Sequence, residues 1–426
     1  MPQFQPFRGI RYTPEAGPLS ELLSPPYDVI NPGQQRALEQ RNERNSVRLE
    51  LASGGEERYA RVADLLKQWL AEGALARDQD PMFYVYEQRF TEENQEYTRK
   101  ALIAAVEAQP WEEGAVKPHE YTMSGPKEDR LKLLQATGVQ LSPVFMIARD
   151  RAGTLTQFID SVMGSREPDM TGTSIDGESH RVWAVEAGSY EMRQVAPLLA
   201  ESFYIADGHH RYETAVNYRD WRAQSEVLSP GHPARFAMAA IVAALDPGLV
   251  IRPIHRMLEK PAPADWQQRL GDAFEVDHVK LIGDGPERIA ELGMLLEEGC
   301  AVAINLEDGQ VHRLRRTSGA LQGSTPQGMS DEWTSISPNV LRYGVLEPLW
   351  GISDDDLRAG VVSYSHDIGE VLEFLDEHPQ GVAFLITPVK IESVVSLADK
   401  GERMPQKSTF FHPKLGTGLV FDPLNP

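Results

Sequence analysis

Apolar and polar positions along this chain change period several times, and each change marks an expected element. Tyr59, Val62, Leu66 and Trp69 recur at helical spacing, which predicts a helix over Glu57–Leu70 with one apolar face. Met82–Arg89 is aromatic and β-branched and predicts a strand. Thr98–Glu107 is its expected hairpin partner, across the polar stretch Thr91–Glu96. Pro126–Thr137 reads as a helix with proline in its first turn and Gly138 as its stop. Val144–Ala148 and Ser202–Ala206 read as strands, Glu191–Leu199 as a helix, and a further helix follows Ala206. Phe236–Leu245 is apolar throughout and reads as a buried strand by composition. The proline-rich stretch to Asn31 predicts loops with little helix, and Gly164–Glu178 predicts a long polar loop.

Leu258–Asp265 (Leu-Glu-Lys-Pro-Ala-Pro-Ala-Asp) is the clearest linker. A second region of mixed elements follows it: a helix over Trp266–Phe274, a strand near Val279, a helix over Pro286–Leu296 and a strand over Ala301–Leu306. Arg316–Ser330 is rich in Gly, Ser, Thr and Gln and reads as a mobile stretch. The expected organisation is an N-terminal α/β domain over 1–258, a second α/β domain over 266–400, and a segment 401–426 packing back towards the site. The fold class is α/β, with mixed α+β left open.

Composition narrows the partners. Among 426 residues, 42 Lys and Arg face 63 Asp and Glu, a net charge of −21, which argues against a nucleic-acid partner. The single cysteine, Cys300, excludes a disulfide within the chain and any Cys-based zinc or iron–sulfur site. The longest apolar run, Phe236–Leu245, is shorter than the ~18 residues a membrane span needs. The N-terminal residues lack the apolar core of a signal peptide. A cytoplasmic protein without a membrane partner is expected, its oligomeric state left open.

Four segments carry polar chemistry. In the first, Asp207-Gly208-His209-His210-Arg211 sits between an apolar strand and a helix with apolar positions Tyr212, Ala215 and Val216. A strand, a glycine turn and a helix N-terminus form an anion site, because the first helical N–H groups have no intrahelical partner. Arg211 offers a planar fork to phosphate oxygens, and His209 and His210 can donate hydrogen bonds or bind a metal. Asp207 can cap the helix, hold Mg²⁺ or act as a base. The second segment, His119–Arg130, gathers Ser124, Lys127 and Arg130 at another helix start; phosphate contacts and a well-capped surface helix both fit it. In the third, Pro25 and Pro26 stiffen the backbone before Tyr27 and Asp28, which suits a fixed base or ligand and equally a simple capped turn. Asn45 and Arg48 are candidates for the same cleft. The fourth, Gly401–Lys414, holds Lys407, Ser408, Thr409, His412 and Lys414, groups apt for an anionic ligand, beside aromatic residues that could strap a tail down. No Gly-x-Ser-x-Gly elbow, His-Glu-x-x-His pair, P-loop or strand-linked Gly-x-Gly-x-x-Gly is present.

Taken together, Ser24–Ile30, His119–Leu134, Phe203–Ala215 and Gly401–Val420 resemble, in order, the signature blocks of the domain-of-unknown-function 1015 family. The Asp207–Arg211 block also resembles the motif of the archaeal free-serine kinases, of the ParB/sulfiredoxin-like group. That resemblance implies a nucleotide-binding core with large insertions, phosphates of ATP or ADP on Gly208, His209, His210 and Arg211, and Asp207 as catalytic or Mg²⁺-holding. It also implies a second acidic residue nearer the N-terminus, for which Asp28 is the candidate by position. About 200 residues precede the motif, more than in those kinases. The function expected is a nucleotide-dependent phosphotransferase acting on a small hydroxyl metabolite, L-serine first. Catalytic roles fall to Asp207, Asp28 and His209, and phosphate contacts to Lys127, Arg130, Ser124, His119, Lys407, Ser408 and Thr409. The alternatives are a non-catalytic nucleotide sensor or partner module, and a metal hydrolase built on Asp207, His209 and His210.

Overall fold

The computed structural model describes residues 3–121, 125–281, 283, 285–297, 301–305, 310–317 and 325–425. The chain is an α/β protein whose contacts divide it into two units. The first comprises Met1–Pro118, Thr122–Val250 and Pro413–Pro426, and the second His119–Tyr121 and Ile251–His412.

A mixed sheet organises the first unit. Its strands run in the order Val116–Lys117, Phe203–Asp207, Val144–Ala148, Phe236–Ala243, Gln95–Glu107, Met82–Glu92, Ser179–Glu186, Met170–Thr173, with Phe4–Gln5 also paired to Gln95–Glu107. Two pairings are parallel, Phe203–Asp207 with Val116–Lys117 and Phe236–Ala243 with Val144–Ala148; the others are antiparallel. Period-two alternation sends Phe83, Val85, Leu102, Ala104, Val144, Met146, Phe203, Ile205, Ala239 and Ile241 into one core. Onto it pack Leu155, Phe158 and Ile159 of the helix Thr154–Ser165, and Tyr212 and Ala215 of the helix His209–Arg222. The opposite face is also covered. Pro413 and Lys414 lend carbonyls to Arg99 Nη1 (2.7 Å) and Gln88 Nε2 (2.9 Å) of the two long strands. With both faces buried, Phe236–Ala243 needs no polar side chain, which explains its unbroken apolar run.

The Glu57–Ala71 helix and the Met82–Glu107 hairpin lie where the periodicity places them. The hairpin turn is tighter than expected: Glu93 and Asn94 alone form it, both at positive φ (48° and 64°), the geometry of a two-residue turn that matches strand twist. Gly164–Glu178 is not one loop. Gly164 and Ser165 end a helix, and Met170–Thr173 pairs with Ser179–Val182 as an edge strand. Threonine and glycine read as loop there because an edge strand buries little. The proline-rich start is mostly short turns and two- to three-residue strands.

The second unit is built on an antiparallel sheet ordered Phe274–Val279, Gln310–Arg316, Ala301–Asn305, Val382–Ile386, His255–Leu258, Ser363–Ser365. Its inner strands bury Val382–Ile386 and Leu258 completely. His255–Leu258, expected in the N-terminal domain, is an inner strand of this sheet, so the unit begins at Ile251 rather than after the linker. The segment 401–426, expected as one piece, is divided between the units at His412/Pro413. Of the stretch Arg316–Ser330, residues 318–324 lie outside the described residues, as do Cys300 and Leu306. Among the described residues no helix is long and apolar enough to cross a membrane.

Candidate functional site

The bend after Phe203–Asp207 owes its shape to one extra residue. Phe203 and Ile205 face the core, and strict alternation would send Asp207 there as well. Opposite Val144–Ala148 the register places Ile205 against Met146 and Asp207 against Phe145, so Ala206 is a bulge. A bulge re-aims the side chain that follows it. The Asp207 carboxylate accordingly meets two cations: Oδ2 accepts from Arg211 Nη2 at 2.6 Å and Oδ1 from Lys414 Nζ at 2.5 Å. Gly208 follows at φ 87°, ψ 30°, a left-handed conformation that favours glycine, and the helix His209–Arg222 starts at once. A Cβ on Gly208 would lie 2.8 Å from Arg211 Nε. Gly208, not Asp207, is the N-cap residue, so a capping role for Asp207 is set aside.

Electrostatics at the bend follow from this clamp. Burial alone would raise the Asp207 carboxyl, but Lys414 and Arg211 outweigh it and hold it at about 2. Burial works against the Arg211 guanidinium; Asp207, Asp28, Tyr27 and Glu50 together keep it above its ordinary value. Arg211 Nη1 donates to the Pro143 carbonyl at 2.5 Å, while its buried Nε has no hydrogen-bond partner among the described residues.

Beside Arg211 opens a small pocket of about 50 Å³, within about 420 Å³ of space that includes open solvent, lined by Tyr27, Glu50, Arg130, Thr214 and an apolar floor of Leu133, Leu134 and Leu141. Arg130 lies 4.2 Å over the Tyr27 ring and is braced by Glu50 (3.1 Å) and by Asp129 (2.5 Å). Burial raises the Tyr27 hydroxyl to about 12, so it stays a neutral donor. Asp28 is exposed on the turn Tyr27–Val29 and acts on both Arg211 and Tyr27. The structure thus gathers Asp207, Gly208, Arg211, Arg130 and the Tyr27–Asp28 turn. His209 and His210 occupy the first helical turn, where His209 adds to the positive field at Asp207.

The remaining candidates have partners of their own. Asn45 is buried and holds the carbonyls of Glu21 and Leu23, and Arg48 donates to the Glu39 carbonyl, so both are structural. His119, Ser408 and Thr409 belong to the second unit and surround a carboxylate of the chain itself. Glu120 Oε1 accepts from Ser408 N (3.0 Å), Thr409 N (3.0 Å) and Thr409 Oγ1 (3.1 Å). His119 Nε2 is 2.9 Å from Thr409 Oγ1. Lys407 is exposed, at φ 60°, and its carbonyl accepts from Arg256. Ser124 and the side chain of Lys127 lie outside the described residues. Lys414 and Glu50 were not assigned to this site by sequence reasoning; lysine's place in the anion-apt tail was the one available signal for Lys414.

Metal candidacy is weak in this arrangement. Both Asp207 oxygens already accept from cations, and among the described residues no group of three His, Cys, Asp or Glu side chains could hold a metal ion.

A family model described as "Protein of unknown function (DUF1015)" matches residues 4–324. No functionally curated protein matches the chain. Similar solved structures include a free serine kinase in complex with AMP, 14% identical over 75% of this chain and 92% of that one, with a TM-score of 0.36. SbnI from Staphylococcus aureus, with a C-terminal truncation, is 11% identical over 76% of this chain and 87% of that one, with a TM-score of 0.36. A conserved hypothetical protein from Pyrococcus furiosus is 14% identical over 74% and 93%, with a TM-score of 0.33.

Proposed function

The chain belongs to the DUF1015 family of proteins of unknown function, and from that premise we propose that it is a nucleotide-dependent phosphotransferase acting on a small hydroxyl metabolite, with L-serine the first candidate. The observation that carries the reading is the bend: a left-handed glycine at a helix start, a buried guanidinium with an unpartnered Nε, and an open pocket beside it. The motif's resemblance to the phosphate turn of the free-serine kinases adds the nucleotide, ATP or ADP.

In this reading the phosphates lie on the N–H groups at Gly208–Arg211 and on the Arg211 fork. Asp207 is a positioning residue that holds Arg211 and Lys414 as a preformed cationic pair. A carboxyl at about 2 is too weakly basic to be matched to a proton transfer near neutral pH. Asp28, exposed and within the field of Arg211, takes the proton as the acceptor oxygen attacks the terminal phosphorus and the bond to the leaving nucleotide breaks. Arg130 and Lys414 offset the charge that develops, and positioning with electrostatics is what such a transfer requires. His209 and His210 donate to phosphate oxygens.

The test is direct. Purified protein incubated with ATP or ADP and a pool of hydroxyl metabolites should yield a phosphorylated product by mass spectrometry. Asp28→Asn should lower its rate by about 10²–10⁴, and Arg211→Lys should weaken nucleotide binding by loss of the fork. Absence of both nucleotide binding and product sinks the reading. Binding without product favours the sensor alternative.

A further inference from the structure

The first unit holds a second concavity that the chemistry above does not use. It contains about 880 Å³ of empty space continuous with solvent, and its walls include Pro6, Arg8, Arg77, Pro81, Pro233 and Asp422. Two arginines face it in a chain with 63 acidic residues, yet among the described residues neither is ion-paired. Each spends one N–H group on a backbone carbonyl: Arg8 Nε on Asp78 (3.1 Å) and Arg77 Nη2 on Asn425 (3.1 Å). Arg77 Nε is buried without a hydrogen-bond partner. The nearby carboxylate of Asp78 is already taken by Arg11 and Tyr84.

The remaining acid of the cavity, Asp422, makes no ion pair with either arginine among the described residues. Asp422 is 1% exposed, and burial pushes its carboxyl well above the ordinary range, which favours the neutral form. Burial lowers Arg77 and the positive charge of Arg8 lowers it further, with Asp422 acting in the opposite direction. Two guanidiniums therefore line one cavity with no carboxylate at ion-pairing distance among the described residues, while several of their donors remain for an anion. Four prolines, Pro6, Pro81, Pro233 and Pro423, line much of the rest of the space, more apolar surface than an inorganic ion can use.

We propose that this cavity is a second ligand site, for a small organic acid. Its oxyanion sits against Arg8 and Arg77, and its apolar body lies on Pro6, Pro81 and Pro233. Charge-assisted pairing with a guanidinium fork sets orientation, and the apolar wall selects the body. None of these residues is at the Asp207 bend, so the two sites stand or fall separately.

Benzoate and inorganic phosphate serve as probes, titrated separately into the full chain by calorimetry at neutral pH. Benzoate is expected to bind at one site, with phosphate about tenfold weaker. Arg77→Gln should weaken benzoate about tenfold or more, since hydrogen bonds to a charged group are lost. Arg8→Gln, an exposed position that leaves folding intact, should weaken it in the same direction. Arg211→Gln should leave it unchanged. Benzoate binding that survives both Arg8→Gln and Arg77→Gln, or no benzoate binding at millimolar concentration, overturns the site. Phosphate binding more tightly than benzoate overturns the organic-acid assignment.

Discussion

Asp207 shows how a single carboxylate can be claimed by its surroundings. Its side chain is 17% exposed, and each oxygen faces a cation. Asp207→Asn would leave Lys414 and Arg211 facing each other with no counter-charge, at a cost of about 3 kcal/mol, the lower end for breaking a buried pair. The pH dependence has a definite sign. The folded carboxyl titrates at about 2, below its ordinary 3.8, so its contribution is complete above about pH 4 and is lost as pH falls through 2. The difference in urea-unfolding free energy between the native chain and Asp207→Asn should stay level from pH 7 to 5 and shrink below pH 4. A difference that grows on acidification contradicts the clamp. Arg211, whose Nε remains unpartnered, is the residue at which the proposed phosphate contact would be coupled to local stability.

Elements decide whether these residues meet at all. Gly208→Ala should cost about 1–2 kcal/mol for the left-handed backbone, and it should also displace Arg211, whose Nε lies 2.8 Å from the added Cβ. Gly177→Ala is the matching control: φ is 93° there and nothing lies within 4 Å of the new Cβ. Equal nucleotide affinity in the two variants would show that the Cβ contact is harmless. The C-terminal strap is the second such element. Leu419, Val420, Phe421 and Leu424 are almost fully buried, and at about 1.5–3 kcal/mol each they contribute about 6–12 kcal/mol, comparable to the whole stability of a domain. Truncation before Pro413 is expected to give insoluble protein; a monomeric product with native circular dichroism on gel filtration would contradict this. At this scale the chain was legible where burial alternates locally. Phe203 and Ile205 advertise their strand, but the bulge at Ala206 has no local signature, because only the register against Val144–Ala148 defines it. Met170–Thr173 escaped notice for a related reason: an edge strand needs a partner more than it needs an apolar pattern.

For the molecule as a whole, buried titratable groups in both units make stability depend on pH. Burial lowers His180 in the first unit to about 4, where it pairs with the Tyr86 hydroxyl, and His255 in the second to about 4, helped by Arg256. A histidine depressed on folding contributes fully above about pH 6.5, and that contribution is lost as pH falls towards 4, up to about 3 kcal/mol each. Asp246, raised by burial to about 6, works in the opposite sense between pH 4 and 6. The urea midpoint should fall on acidification from pH 7 to 4.5, and His180→Gln should flatten that fall; an unchanged slope counts against a buried neutral His180.

Local order was already written in the primary structure: helices and strands with a regular apolar period, the turn glycine at 208, and the cations of the tail. Those features depend on neighbours within a few residues, where side-chain period and backbone preference act directly. Lys414 at Asp207, Tyr27 beside Arg130, and the placing of Ser408 and Thr409 around Glu120 depend on contacts across tens to hundreds of residues. Such contacts exist only once the sheets have formed, since burial and the need to pair a buried charge select partners by proximity in space and leave no mark on sequence spacing.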